Sequence, residues 1–212
     1  AYKYHDTKLA KQKSRSLKRV FLICAQDEKT DVREAAMRGK AIGDGIYLAR
    51  ILRDMHPNIC THSYIANKAR QLGRHKNVTV KVMGRKEMES LGMGSLLSVS
   101  DGSYQPPQFV ILKYDGGRKS QKPTVLVGKA LTFDTGGISL KPSGAMDEMK
   151  YDMSGAGSVI GTMAAVISMK LPLNVVALIP TTENMPGGGA TRPSDVVTSM
   201  SGPVSYTHLT LP

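Results

Sequence analysis

The sequence predicts an α/β fold, a mainly parallel or mixed sheet covered by helices on both faces, and three observations predict it. Short continuously apolar runs recur, clearest at Val125-Leu126-Val127 and Val175-Val176-Ala177-Leu178-Ile179. Between such runs lie longer stretches whose apolar residues fall at steps of three and four. A polar, glycine-rich segment directly follows the run at 124 to 128, and α/β proteins place their sites at the carboxyl ends of strands.

Taken in order, residues 1 to 19 are polar and basic, and Val20-Phe21-Leu22-Ile23-Cys24 reads as one buried strand. Asp31 followed by Glu34 is a capping-box variant, and Val32, Ala35, Gly39, Ile42, Ile46 and Ala49 recur at helical spacing. Together they predict one long helix to about Arg53, suited to link two domains. Pro57 ends it, Thr61 caps a second helix over 63 to 74, and Val78 to Val82 alternates as a half-exposed strand. A helix near 85 to 91, strands at 96 to 99, 109 to 114 and 124 to 128, a helix over 154 to 169 and a strand at 175 to 179 complete the alternation.

With 212 residues and 41% hydrophobic content, the chain is long enough for one domain or one and a half with a real core. No run approaches the ~18 to 20 apolar residues of a spanning helix, and the opening residues lack the apolar stretch of a signal peptide, so a soluble chain without membrane partners is expected. Two cysteines, Cys24 and Cys60, are too few for a disulfide framework, which points to a reducing compartment, most simply the cytoplasm. Residues 1 to 90 hold 20 basic and 9 acidic side chains, residues 91 to 212 only 9 and 8. A basic half suits nucleic acid or a membrane surface, yet these charges are not interleaved with aromatics, so a solvated face is the simpler reading and nucleic acid stays an alternative.

The chemistry is concentrated from Gly128 to Asp152: Lys129, Asp134, Lys141, Asp147, Glu148, Lys150 and Asp152 lie between an apolar strand and the small-residue helix start Ser154-Gly155-Ala156-Gly157. Three readings fit. The charges are an incidental solvated loop, or Gly155 to Gly161 binds a nucleotide, or Asp134 and Asp152 offer hard oxygen ligands to Zn²⁺ or Mn²⁺. The glycine spacing departs from the dinucleotide fingerprint, and close helix packing explains it better. A lysine joins a metal set only as a neutral amine, a state that burial beside a dication favours. His5, His56, His62, His75 and His208 are scattered without paired spacing and read as surface residues. Ser139, Ser143 and Ser154 sit in no nucleophile elbow. Glu183 and Asn184 follow a strand and suit either a supporting role at a site or a plain loop.

Val127-Gly128-Lys129-Ala130-Leu131-Thr132-Phe133-Asp134-Thr135-Gly136-Gly137-Ile138-Ser139-Leu140-Lys141-Pro142 resembles the metal-binding core of the leucyl aminopeptidase (cytosol aminopeptidase) family. Met146 to Met153, Glu183 to Gly188, Pro57 to Thr61 and Leu91 to Leu97 continue the match, which spans roughly residues 16 to 202. The resemblance implies a three-layer α/β/α catalytic domain and a two-metal aminopeptidase that releases leucine and similar apolar residues from the N-terminus of peptides. Lys129, Asp134 and Asp152 match ligands of two divalent cations, Mn²⁺ or Zn²⁺. Lys141 matches the catalytic lysine that polarises the carbonyl and stabilises developing charge. Met149 matches a position lining the pocket for the substrate's first side chain, and Asp152 is also placed at the substrate. A homo-hexamer is implied as well.

The family octapeptide Asn-Thr-Asp-Ala-Glu-Gly-Arg-Leu is absent. In relatives it supplies the remaining metal ligands and an arginine that holds a bicarbonate, so none of these is assigned here. Thr135 stands where serine is usual, Gly189 in place of a polar residue, and His62 where proline is common. The expected organisation is the tail of an N-terminal α/β domain over 1–30, a linker helix over 31–56, part of a catalytic domain over 57–202, and a non-native tail over 203–212.

Overall fold

The computed structural model describes residues 19–205. Among them the order is α1 Lys29–Asp54, α2 His62–Leu72, β1 Val78–Met83, α3 Arg85–Ser90, α4 Gly94–Ser100, β2 Gln108–Asp115, β3 Thr124–Val127, β4 Ala130–Asp134, a 3₁₀ helix Met146–Met153, α5 Ser154–Met169, β5 Asn174–Asn184, β6 Val196–Ser199 and β7 Gly202–Ser205.

The main sheet is mixed. β1 and β2 pair antiparallel, β2 pairs antiparallel with β5, and β3 and β4 both run parallel to β5. β3 lies beside Val175 to Leu178 and β4 beside Thr181 to Asn184, so the two are successive parts of one path along β5, interrupted at Gly128-Lys129. That interruption places Lys129 between two strands rather than inside one. The larger core gathers Val110, Leu112, Val175, Ala177 and Ile179 from one face of the sheet with Leu52 of α1, Ile65 of α2 and Ile160 and Met163 of α5. Burying each large aliphatic side chain contributes about 1.5–3 kcal/mol. Met83, Met88 and Leu97 form a smaller core against Phe109 and Ile111 on the other face. Two helical layers around one sheet result, as the sequence predicts.

The glycine run of α5 is a packing device. A Cβ on Gly161 would strike the carbonyl of Gly45, one on Gly157 would press on the Ala49 carbonyl, and one on Gly155 would meet the Lys129 backbone. α5 therefore lies close against both α1 and the β3–β4 interruption, and the nucleotide reading of this run gives way to close helix contact.

Several elements differ from expectation. Val20 to Cys24 forms no strand, and Phe21 and Ile23 are 81% and 100% exposed, because among the described residues no strand lies alongside to pair their backbone. α1 starts earlier, with Glu28 in the cap position and no side-chain cap bond, so the Asp31–Glu34 box is not formed. Its buried face is Ala41, Gly45 and Leu52, while Ile42 and Ile46 are exposed; contact with glycine-rich α5 selects the small residues. Thr61 does cap α2, accepting the Tyr64 amide at 3.4 Å. Residues 96–99 are helical, not a strand: Ser98 and Ser100 hydroxyls donate to the Ser95 and Leu97 carbonyls one turn back. A short apolar run does not distinguish the two by itself. β4 and the hairpin of β6 and β7 are strands that the sequence reading does not predict, and β7 runs into the segment expected to be a tail.

Candidate metal centre

β4 ends on Asp134, which is only 8% exposed, beside Asn184 at the end of β5. Its Oδ1 accepts the Gly136 amide and the Asn184 Nδ2, both at 2.9 Å, and its Oδ2 accepts the Lys141 Nζ at 2.8 Å. The loop that delivers Lys141 turns on Gly136 and Gly137, at φ +89° and +70°, where a side chain is strained. Thr135 fastens it: its amide and its hydroxyl donate to the Asn184 carbonyl at 2.9 and 2.8 Å, and the Lys141 amide donates to the Thr135 carbonyl at 2.9 Å.

Lys129 Nζ lies 2.8 Å from Asp152 Oδ1, with Asp152 carried on the 3₁₀ helix. The other oxygen, Asp152 Oδ2, is buried with no hydrogen-bond partner. Asp152 also lies close enough to Asp134 to interact with it directly. Burial works against a charged Asp134, but hydrogen bonds from Lys141 and the Gly136 amide, the Asp152 contact and the Lys141 charge outweigh it and hold the carboxyl below the usual carboxylate range. Met149, half-buried on the same 3₁₀ helix, points its sulfur at Lys141 Nζ, 3.3 Å away.

The fold therefore brings Lys129, Asp134, Lys141, Met149 and Asp152 into one cluster. It adds Asn184, bonded to Asp134, and places Glu183 beside it, accepting the Ser103 hydroxyl at 2.7 Å. Ser103 gives no signal in the sequence, since the contact spans 80 positions. Ser139 and Ser143 are exposed, and Ser154 merely caps the preceding turn. His56 and His75 are exposed as expected, and His5 and His208 lie outside the described residues. His62 is a correction: it is buried, with Nδ1 3.1 Å from the Pro106 carbonyl, because the first turn of α2 packs down on the start of β2.

Among the described residues no three His, Cys, Asp or Glu side chains gather as a metal shell. Asp134 and Asp152 still fit a hard divalent cation, since both are held at one place and one carboxylate oxygen is buried without a partner. A cleft of about 570 Å³ opens beside Ile138, lined also by Asp101, Gly188, Thr191, Arg192 and Val196, next to the cluster rather than on it.

Residues 47–206 match the sequence model described as the cytosol aminopeptidase family, catalytic domain. The "Probable cytosol aminopeptidase" of Aromatoleum aromaticum is 53% identical over 206 residues, 95% of this chain and 41% of that one. Its namesake in Nitrosospira multiformis is 58% identical over 177 residues, 84% of this chain and 34% of the relative. The solved bottromycin maturation enzyme BotP, in complex with Mn, superposes with a TM-score of 0.74 at 36% identity, over 87% of this chain and 39% of that one. The chain thus spans about 41% or less of the length of these relatives. With relatives this similar along most of its length and the catalytic-domain model matched from residue 47 to residue 206, this chain belongs to the cytosol aminopeptidase family.

Proposed function

We propose that the whole protein is a metal-dependent aminopeptidase that removes N-terminal residues, preferentially leucine and similar apolar ones, from peptides in the cytoplasm. The observation that carries this reading is the pair of lysine–carboxylate contacts, Lys129 with Asp152 and Lys141 with Asp134, set side by side at the strand ends. Lys129, Asp134 and Asp152 are the residues of this chain that would hold divalent cations, two in the full site, Mn²⁺ or Zn²⁺; the Mn complex of BotP supports manganese. When bound, such cations supply Lewis acidity toward a carbonyl and a water of lowered pKa.

Lys141 carries the chemistry of this chain. Its ammonium is anchored by Asp134 Oδ2 and backed by Met149, so its remaining donor capacity is aimed from a fixed position at a substrate carbonyl, where it opposes charge that develops in the transition state. Asn184 and the Gly136 amide fix the Asp134 carboxylate that anchors it. Met149 offers a soft unbranched wall to varied apolar side chains, and Asp152 serves at the substrate as well as at the metal. The remaining ligands, the arginine and its bicarbonate belong to segments this sequence lacks, and a homo-hexamer is the assembly proposed for the whole protein. Residues 1–30 are assigned to the tail of an N-terminal domain, 31–56 to a linker helix and 57–202 to part of the catalytic domain, while the family's catalytic-domain model extends the match from residue 47 to residue 206.

In the extended protein, Lys141→Ala is expected to lower kcat by ~10² to 10³ while metal content, read by atomic emission, stays unchanged. Parallel loss of metal and turnover would assign Lys141 to the ligand shell or the fold instead.

A further inference from the structure

We propose that one water molecule is built into the seam between α2 and the sheet, bridging His62 Nε2, Gln108 Oε1 and Thr181 Oγ1, and that it ties α2 to the strand end carrying Glu183 and Asn184. These three atoms are buried without a hydrogen-bond partner in the protein. Gln108 and Thr181 stand directly opposite each other in the antiparallel register of β2 and β5, so their side chains share a face. It is the face of Val110 and Ile179, which packs with Ile65, Ala66 and Ala69 of α2. Gln108 Nε2 reaches α2, donating to Ser63 Oγ at 3.1 Å, and the neighbouring His62 places Nδ1 3.1 Å from the carbonyl of Pro106, two residues before Gln108. The three orphaned atoms thus border one seam, reached from both sides.

The donor and acceptor count selects the occupant. Burial disfavours the charged imidazole of His62, and a neutral ring that donates through Nδ1 to Pro106 has an acceptor at Nε2. Gln108 spends its amide on Ser63 and keeps Oε1 as an acceptor. Thr181 offers a hydroxyl that donates. Two acceptors and one donor match a water, whose two hydrogens serve His62 and Gln108 while a lone pair receives Thr181. An apolar filler would leave all three unpaired, each at a desolvation cost. The competing arrangement has His62 donating through Nε2 to the nearby Thr182 carbonyl, and it leaves Gln108 and Thr181 still unpaired.

Nitrogen-15 spectra of the His62 ring and water-selective cross-relaxation on the labelled chain test this. The expected result is an unprotonated Nε2 together with long-lived water cross-peaks to the Thr181 side chain and the His62 ring protons. A protonated Nε2 without such cross-peaks overturns the proposal. Thr181→Val is expected to lower Tm by about 2 to 4 °C, with Thr181→Ser restoring most of it. The losses in Thr181→Val and His62→Leu should be non-additive in the double variant, since both act on the same water. Simple additivity, or a Thr181→Val chain as stable as the parent, also overturns it.

Discussion

Lys129 faces Asp152 as an ion pair with both side chains partly open to solvent, a contact that by itself adds little stability. As a metal ligand it must instead present a lone pair, so cation binding by the whole protein should release a proton there. Lys129→Arg keeps the charge and the contact with Asp152 but has no lone pair to give. Weakened Mn²⁺ affinity in that variant, measured by titration calorimetry, is the expected outcome, and unchanged affinity removes Lys129 from the ligand set. His62 gives a second residue-scale expectation. Burial lowers its pKa below 6.5, and the Pro106 carbonyl, the Glu183 charge and the Thr182 carbonyl offset this only in part. Between that lowered value and 6.5 the unfolded chain binds more protons than the folded one, so the contribution is present above about 6.5 and lost as pH falls below it. The urea midpoint should drop from about pH 7.5 to about pH 5.5, and His62→Gln should flatten that dependence. Cys60 is another buried group that sequence spacing did not mark: burial pushes its thiol up to about 12, only slightly offset by Lys68.

At the scale of elements, the contact of α1 with α5 is the one most exposed to a single methyl group. Gly45 and Gly161 face each other so closely that any Cβ on Gly161 meets the Gly45 carbonyl and the Ala49 side chain. Backbone cannot yield as a flexible side chain can, so Gly161→Ala should destabilise by ~1–3 kcal/mol, visible as a lower urea midpoint at an unchanged slope. Gly39, which meets nothing within 4 Å, is the control. Gly39→Ala should be neutral or slightly stabilising, since alanine is the better helix former. The helical spacing of α1 was legible, but its buried side was not. Ile42 and Ile46 have the hydropathy for a core, and the partner helix instead takes the smallest residues because close approach of two backbones leaves no room for larger ones.

For the molecule as a whole, the 212-residue chain is expected to show no significant aminopeptidase activity with excess Mn²⁺ or Zn²⁺. Two-metal hydrolysis requires cations about 3.5 to 4 Å apart, and the proposed ligands Lys129, Asp134 and Asp152 would supply one partial shell. Val125 and Val127 on β3 are 52% and 70% exposed, and exposed apolar strand edges promote association. Leucine p-nitroanilide assays of the purified chain beside a version extended through the family octapeptide check the expectation. Comparable turnover by the two would overturn both the need for the octapeptide and the roles assigned to Lys129 and Asp134.

The sequence by itself determined the α/β class, α1, α2 and α5 nearly to their ends, the β1, β2, β3 and β5 positions, and the residues that the fold gathers into the cluster of Lys129, Asp134, Lys141, Met149 and Asp152. Those features are local: a strand or helix of sufficient length declares its period, and the run from Gly128 to Lys141 sets Lys129, Asp134 and Lys141 in order between β3 and the 3₁₀ helix. Tertiary structure alone decided that residues 96–99 wind as a helix, that His62 is buried, and that Asn184 and Ser103 meet Asp134 and Glu183 across 50 and 80 positions. Short apolar runs, a lone histidine and polar side chains in loops have no period to read. Their state is fixed by which surfaces the sheet brings against them, and that depends on pairings between strands far apart in the chain.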